Sequence, residues 1–204
     1  MNKKIESINL MLGGEKPNII VPGNWCAVDS GADYLLNVGI KPLMIYGDLD
    51  SIGINYNGLN INKKDSQDIT DLEFAINSIK VDFPMINNIN IYGATGGRLD
   101  HFFGNIMILS NENINSIEVQ IIDDNNIIYL SNIGDNIVSK NNNFKYISFV
   151  PIYKNTKVTI KNAKYDVEDY ILTTNKPNAT SNEFLDKDIF LRTDKRCLVI
   201  YSKD

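Results

Sequence analysis

The chain has 204 residues, 43% of them hydrophobic and 22% charged, the proportions of a soluble globular protein with room for one large domain or two small ones. Its net charge of −5 argues against a nucleic-acid binder that relies on a broad basic surface, although a local basic pocket remains compatible with it. No apolar run approaches the length of a membrane span, and Met1-Asn2-Lys3-Lys4 is not followed by a signal-like apolar core, so a cytoplasmic protein is expected.

The first two-thirds of the chain alternates strand and helix patterns. Residues 5–12 read as a strand ending at Gly13-Gly14, and residues 25–28 as a short buried strand ending at Asp29. Residues 32–38 read as a helix, closed by Gly39 and then Pro42. A third strand over residues 43–46 runs into Gly47-Asp48-Leu49-Asp50-Ser51. Thr70-Asp71-Leu72-Glu73 opens a helix whose apolar positions Leu72, Ala75, Ile76 and Ile79 follow helical spacing. A strand over residues 90–92, the loop Gly93-Ala94-Thr95-Gly96-Gly97-Arg98, a helix over 99–109 and a strand over 117–122 complete the alternation. This order predicts an α/β domain with a mostly parallel sheet and flanking helices.

From about residue 126 the pattern changes to short strands at 127–130, 136–138, 144–150, 156–160, 165–172, 188–191 and 197–201, separated by turn residues. Closely spaced strands without a long helix predict an all-β sandwich or barrel. The boundary falls within 123–134, giving domains 1–125 and 126–204. Without a Gly/Ser linker, the two halves are expected to pack together. Cys26 and Cys197 lie far apart in apolar runs and read as buried free thiols, not a disulfide or zinc site. The abundance of Asn and Ile runs through the whole chain and reads as a compositional bias without functional meaning.

Ligands of open parallel sheets bind outside the carboxyl ends of the strands. Asp29, the pair Asp48 and Asp50, and the loop from Gly93 to Arg98 each directly follow a predicted strand, so a parallel sheet would gather them on one edge. Two carboxylates one residue apart repel, and burial raises their pKa; a divalent cation with hard oxygen ligands, such as Mg²⁺, removes that cost. Thr70 suits a helix N-cap with Glu73 reaching back, and Asp71 gains from the helix dipole and can also serve as a ligand. Three glycines before a helix start allow backbone N–H groups to approach an anion, with Arg98 supplying a planar fork for phosphate oxygens. Asp100 beside it can bind a cation or accept a proton. His101, the single histidine, reads as a hydrogen-bonding residue at the helix start in preference to a catalytic base. There is no Walker-type or protein-kinase motif, so carboxylate-held Mg²⁺ and Arg98 would have to handle any phosphates.

The order of motifs resembles the thiamine pyrophosphokinase family. The likeness is carried by Asp29-Ser30-Gly31-Ala32-Asp33, Gly47-Asp48-Leu49-Asp50-Ser51, Gln67-Asp68-Ile69-Thr70-Asp71, the run from Gly93 to His101, and the late Ser181-Asn182-Glu183. It implies transfer of a pyrophosphoryl group from ATP to thiamine, giving thiamine diphosphate and AMP, with Mg²⁺ as cofactor. It also implies a homodimer whose active sites combine the α/β half of one subunit with the β half of the other. Carried over by motif, Asp48, Asp50 and Asp71 would hold Mg²⁺ on the triphosphate. Gln67, Thr70, Arg98 and Asp100 would line the cleft with Asp29 near them, and Ser181 and Asn182 would help bind thiamine. Ser30 replaces a glycine common in the family and Leu49 a common phenylalanine, but neither change removes an oxygen ligand. The β half has no tryptophan to stack on the thiamine rings. Either Asp71 or Asp100 could accept the proton of the thiamine hydroxyl.

Two other classes share parts of this pattern. A Mg²⁺-dependent phosphohydrolase could use Asp48 as nucleophile, but haloacid-dehalogenase-like enzymes carry Asp-x-Asp-x-Thr on their first strand, whereas Ser51 directly follows Asp50 here. A non-catalytic thiamine or nucleotide binder would have no need of the intact acidic motifs.

Overall fold

The computed structural model describes residues 4–50, 53, 56–114, 116–176 and 178–204. The chain divides into two compact units, Met1–Asp124 and Asn125–Asp204. No helix among the described residues is long and apolar enough to cross a membrane.

The first unit contains strands β1 (Ser7–Met11), β2 (Trp25–Val28), β3 (Ile45–Gly47), β4 (Ile61–Lys63), β5 (Asn88–Tyr92) and β6 (Glu118–Ile122). They pair in the order β6-β5-β1-β2-β3-β4, every pairing parallel. The central strands β1 and β2 are nearly continuous apolar runs buried on both faces, as a helix-covered parallel sheet requires. The polar exceptions are matched to one another. Asn9, Asn90 and Gln120 stand in register across β1, β5 and β6. Gln120 Nε2 donates to Asn90 Oδ1 at 2.7 Å, and Asn90 Nδ2 donates to Asn9 Oδ1 at 3.0 Å. Part of the asparagine bias therefore has a structural use, because buried amides are costly unless their partners are in place.

Helices α1 (Gly31–Asn37), α2 (Asp71–Asp82) and α3 (Leu99–Ile108) lie between strands along the chain. α2 buries Leu72, Ala75, Ile76 and Ile79, the face its spacing predicts. Thr70 Oγ1 accepts from Glu73 N at 3.2 Å, which forms one half of the capping box. The Glu73 carboxylate turns elsewhere and accepts from Asn111 Nδ2 at 2.9 Å.

The second unit contains β7 (Asn126–Leu130), β8 (Gly134–Val138), β9 (Tyr146–Pro151), β10 (Thr156–Lys161), β11 (Val167–Leu172), β12 (Asn182–Glu183), β13 (Ile189–Thr193) and β14 (Cys197–Ser202). They form two antiparallel sets, β12-β9-β14-β7 and β11-β10-β13-β8. Ile147, Phe149 and Val199 from one set and Val158, Ile160 and Leu191 from the other share a single buried cluster. Alternation is regular along β9 and β10, one side chain in and the next half-buried or exposed. Cys26 and Cys197 are both buried and free, and burial pushes their thiols up to about 12 and about 11.

Two strands escape sequence reading. β4 is a three-residue edge strand, half-exposed and set among asparagines, so it carries no buried periodicity. β12 has two residues and owes its place to pairing with β9. The third strand also starts two residues later than its apolar run suggests and continues through Gly47.

The helix α1 approaches β1 so closely that a Cβ at Gly31 would stand 2.1 Å from the Met11 carbonyl oxygen. Backbone cannot yield there as a side chain would. Gly31→Ala is expected to lower stability by about 2 kcal/mol or more, read from the urea midpoint at constant slope.

Candidate active site

In the order β6-β5-β1-β2-β3-β4, chain succession runs outward from β1 on one side and from β5 on the other. The crevice outside the carboxyl ends of β1 and β5 is therefore a topological switch point, where open α/β sheets take their ligands. A cavity of about 710 Å³ lies there, with Gly14, Asp29, Asp71, Thr95 and Arg98 among its lining residues.

One wall is acidic. Asp29 follows β2, Asp48 follows β3 and Asp71 begins α2, and one carboxylate oxygen from each lies within 4.8 Å of the other two. Asp29 Oδ1 accepts from Leu49 N at 3.2 Å, while burial, followed by the Asp71 charge, pushes its carboxyl up to about 6. Asp48 Oδ2 accepts from Gln67 Nε2 at 3.2 Å, the main reason its carboxyl is held below the ordinary range. Asp50 N donates to Asp48 Oδ1 at 3.3 Å, and Asp50's own carboxyl is raised by its hydrogen bond and charge interaction with Asp48. Three hard oxygen donors at this spacing suit a divalent cation such as Mg²⁺.

The opposite wall is built from backbone. Leu12 N donates to Tyr92 O, Gly14 N to Gly93 O and Glu15 N to Thr95 O, each at 2.8 Å, so the loops after β1 and β5 are laced together. Asn105 Nδ2 donates to Ala94 O at 2.9 Å and ties the second loop to α3. The Thr95 hydroxyl lines the cavity, is buried and has no protein partner, which leaves it free for a ligand atom. At the rim, Arg98 Nε donates to Asp100 Oδ1 at 3.1 Å and a second guanidinium nitrogen bonds the other oxygen. That pair holds the exposed Asp100 carboxyl down to about 2. His101 also lines the cavity, and its backbone N donates to Asp100 Oδ1 at 3.0 Å.

The geometry thus brings together Asp29, Asp48 and Asp71, with Gln67, Thr70, Arg98 and Asp100 around one space. Asp50, which the resemblance sets with Asp48 and Asp71 as a metal ligand, is exposed, and the three carboxylates gathered within 4.8 Å are those of Asp29, Asp48 and Asp71. Ser51 lies outside the described residues. Ser181 and Asn182 belong to the second unit. Ser181 N donates to Ser148 Oγ at 3.0 Å. The buried Asn182 side chain is committed internally, accepting from Tyr165 N and donating to Tyr165 O, both at 2.9 Å. Sequence reading missed the pair Gly13 and Gly14, although it marked them as a strand end, and it missed Lys64. Lys64 is 5% exposed, and its ammonium lies 2.7 Å from Asp71 Oδ1. Recognising β4 would have placed it beside the acidic turn.

The chain matches the family model of the thiamin pyrophosphokinase catalytic domain over residues 23–121, and that of the thiamin pyrophosphokinase vitamin B1 binding domain over 135–198. It is 32% identical over 199 residues to thiamine pyrophosphokinase of Bacillus subtilis, covering 89% of this chain and 91% of that protein. The crystal structure of thiamine pyrophosphokinase from Bacillus subtilis superposes with a TM-score of 0.84 at 30% identity, covering 98% of this chain and 100% of that one. That of thiamin pyrophosphokinase from Geobacillus thermodenitrificans gives 0.84 at 25% identity, with 97% and 98% covered.

Gly47 has φ +131°, and a Cβ there would fall 1.9 Å from Asp29 Oδ1. Gly47→Ala must therefore displace the Asp29 carboxylate from the trio. Mn²⁺ affinity, followed by electron paramagnetic resonance, should fall at least about tenfold, or roughly 1.4 kcal/mol, with far-UV circular dichroism unchanged.

Proposed function

The chain belongs to the thiamin pyrophosphokinase family, and on that premise we propose how its cavity works. As a thiamine diphosphokinase it passes a pyrophosphoryl group from ATP to thiamine, leaving AMP. In our reading ATP occupies the cavity, its triphosphate lying between the carboxylate trio and the laced glycine loops. The observation that carries this reading is the meeting of three strand-end and helix-start acids with an unpartnered Thr95 hydroxyl and Arg98 around one cavity.

Asp29, Asp48 and Asp71 would hold Mg²⁺, with Asp50 beside Asp48 at the exposed end of the turn. When bound, Mg²⁺ neutralises triphosphate charge and favours departure of AMP. The chain's own residues do the rest. Arg98 turns its guanidinium from Asp100 to phosphate oxygens, stabilising charge that grows in the transition state. Thr95 Oγ and the backbone N–H groups of its loop position the phosphates, and Gln67 and Thr70 fix the acidic wall. Asp71 or Asp100 accepts the proton of the thiamine hydroxyl. Asp100 can do so only after Arg98 has turned away, because that pair holds its carboxyl at about 2.

The unit Asn125–Asp204 would supply the thiamine contacts. Ser181 would touch the substrate, whereas Asn182 would act by fixing the start of the Tyr165 segment, with the exposed Tyr165 ring available for stacking. We further propose a cytoplasmic homodimer in which this unit of one subunit serves the catalytic unit of its partner.

Incubation with thiamine, ATP and Mg²⁺ should give equal amounts of thiamine diphosphate and AMP by chromatography. Release of inorganic phosphate without AMP would overturn the reading. Asp48→Asn and Asp71→Asn should each abolish turnover with the fold intact by circular dichroism, since each amide removes ligand charge. Near-normal activity of both at limiting Mg²⁺ would remove the metal assignment.

Arg98→Lys keeps the charge but loses the planar fork. A fall in rate of at least about tenfold, or roughly 1.4 kcal/mol, is expected, with no change in thermal midpoint because the side chain is exposed.

Mixed dimers test the shared site. An inactive Asp48→Asn subunit exchanged with an inactive Ser181→Ala, Asn182→Ala subunit should recover about half the wild-type activity per dimer, because one composite site then has both halves intact. No recovery, with heterodimers seen by native mass spectrometry, would mean that each site is built from one chain.

A further inference from the structure

Among the described residues of the acidic wall, Lys64 is the side chain whose charge opposes the carboxylates, and its position is built from both sides. Its backbone N donates to Gly47 O at 2.9 Å, which fixes it at the carboxyl end of β3 beside Asp48. Its Nζ lies 2.7 Å from Asp71 Oδ1 and donates to Ile69 O at 3.0 Å and to Gln67 Oε1 at 3.4 Å. The side chain is 4% exposed against 34% for that of Asp71. A lysine is rarely buried to this degree without a specific partner, because its ammonium must be stripped of water. Its charge also reaches Asp48, whose carboxyl is held down chiefly by Gln67.

Three ionised carboxylates within 4.8 Å carry a charge of about −3. The ammonium of Lys64 offsets part of that charge, while the Asp50 carboxyl beside Asp48 adds to it. From its burial against Asp71 and its bonds to Ile69 O and Gln67 we infer that Lys64 is the resident counter-ion of the carboxylate trio, holding the cluster together before the cation arrives. The inference rests on the Mg²⁺ reading given above. Lys64 is a positioning residue in this scheme, because it acts through Asp71 and Gln67 and not on the substrate itself. It also lowers cation affinity, since a fixed positive charge stands a few ångströms from the arriving ion.

The test compares wild type with Lys64→Gln, which keeps a donor for Ile69 O, and with Lys64→Arg, which keeps the charge. Mn²⁺ binding by electron paramagnetic resonance and thermal unfolding with EDTA or saturating Mn²⁺ are measured on each. The Gln variant should bind Mn²⁺ at least about tenfold tighter than wild type, the scale of removing one charge near a divalent ion at a half-exposed site. Its midpoint in EDTA should fall below wild type, and Mn²⁺ should raise it by more than it raises wild type. The Arg variant should stay within about threefold of wild-type affinity. A Gln variant that binds Mn²⁺ no more tightly than wild type, or an Arg variant that gains as much affinity as the Gln variant, overturns the inference. If the Gln variant does not fold in EDTA, its recovery by Mn²⁺ supports the counter-ion role, and failure to fold in either condition overturns it, since the role then exceeds charge balance. Absence of Mn²⁺ binding to wild type, and of any Mn²⁺ effect on its midpoint, overturns the Mg²⁺ reading itself. That result is separate from one in which wild type binds and Lys64→Gln gains nothing.

Discussion

Mutual repulsion of like charges is the constraint around which the first unit is arranged. Asp29, Asp48 and Asp71 come from three separate elements, and water would keep them apart if the backbone did not hold them. Parallel pairing of β2 with β3 places the first two on one sheet edge, and β4 leads the chain to the start of α2 at the same edge. The opposing forces are local and specific: Leu49 N on Asp29, Gln67 Nε2 on Asp48 and the Lys64 ammonium on Asp71. Burial, followed by the Asp71 charge, pushes the Asp29 carboxyl up to about 6. A site of this kind stores a readiness for positive charge in the folded protein.

The same sheet supplies the other half of the chemistry at no electrostatic cost. The loops after β1 and β5 are bonded to each other through backbone groups, and Asn105 ties the second to α3, so the unpartnered Thr95 hydroxyl at the cavity is held in place by the fold. Preorganised dipoles of this sort act without reorganising during the reaction. The acidic wall suits a cation and the backbone wall suits an anion. A metal-bound polyphosphate, the ligand we propose, presents both charges.

Much of this was legible in the residues, for identifiable reasons. Strand and helix periods in the first unit are strong because β1, β2 and α2 bury their apolar positions almost completely. The strand-end rule located Asp29, Asp48 and the glycine loop, and helix capping located Thr70. What escaped depends on tertiary pairing. β4 has no hydrophobic signal, since it is a half-exposed edge, and with it went the position of Lys64. The nearness of Asp29 to Asp48 and Asp71 is likewise set by strand pairing and the start of α2, which the motifs alone do not display. Asn182 sits in the late Ser-Asn-Glu motif, yet its amide is spent on Tyr165, a bond that only the folded β unit reveals.

The acidic turn also shows how backbone strain and packing divide the work. Asp29 has φ +44°, Gly47 φ +131° and Leu49 φ +70°, so three residues in contact use the left-handed or glycine-favouring side of backbone space. Such conformations cost of order 1–3 kcal/mol at a non-glycine residue and persist only where the surroundings hold them. Leu49 supplies part of that hold, because its side chain packs against the cluster of Trp25, Leu35 and Tyr92 while its N–H serves Asp29. The position therefore asks for an apolar anchor of moderate size and an N–H for Asp29, and leucine meets both demands. A polar residue there would release the turn from the core, and the carboxylates would lose the backbone that keeps them together.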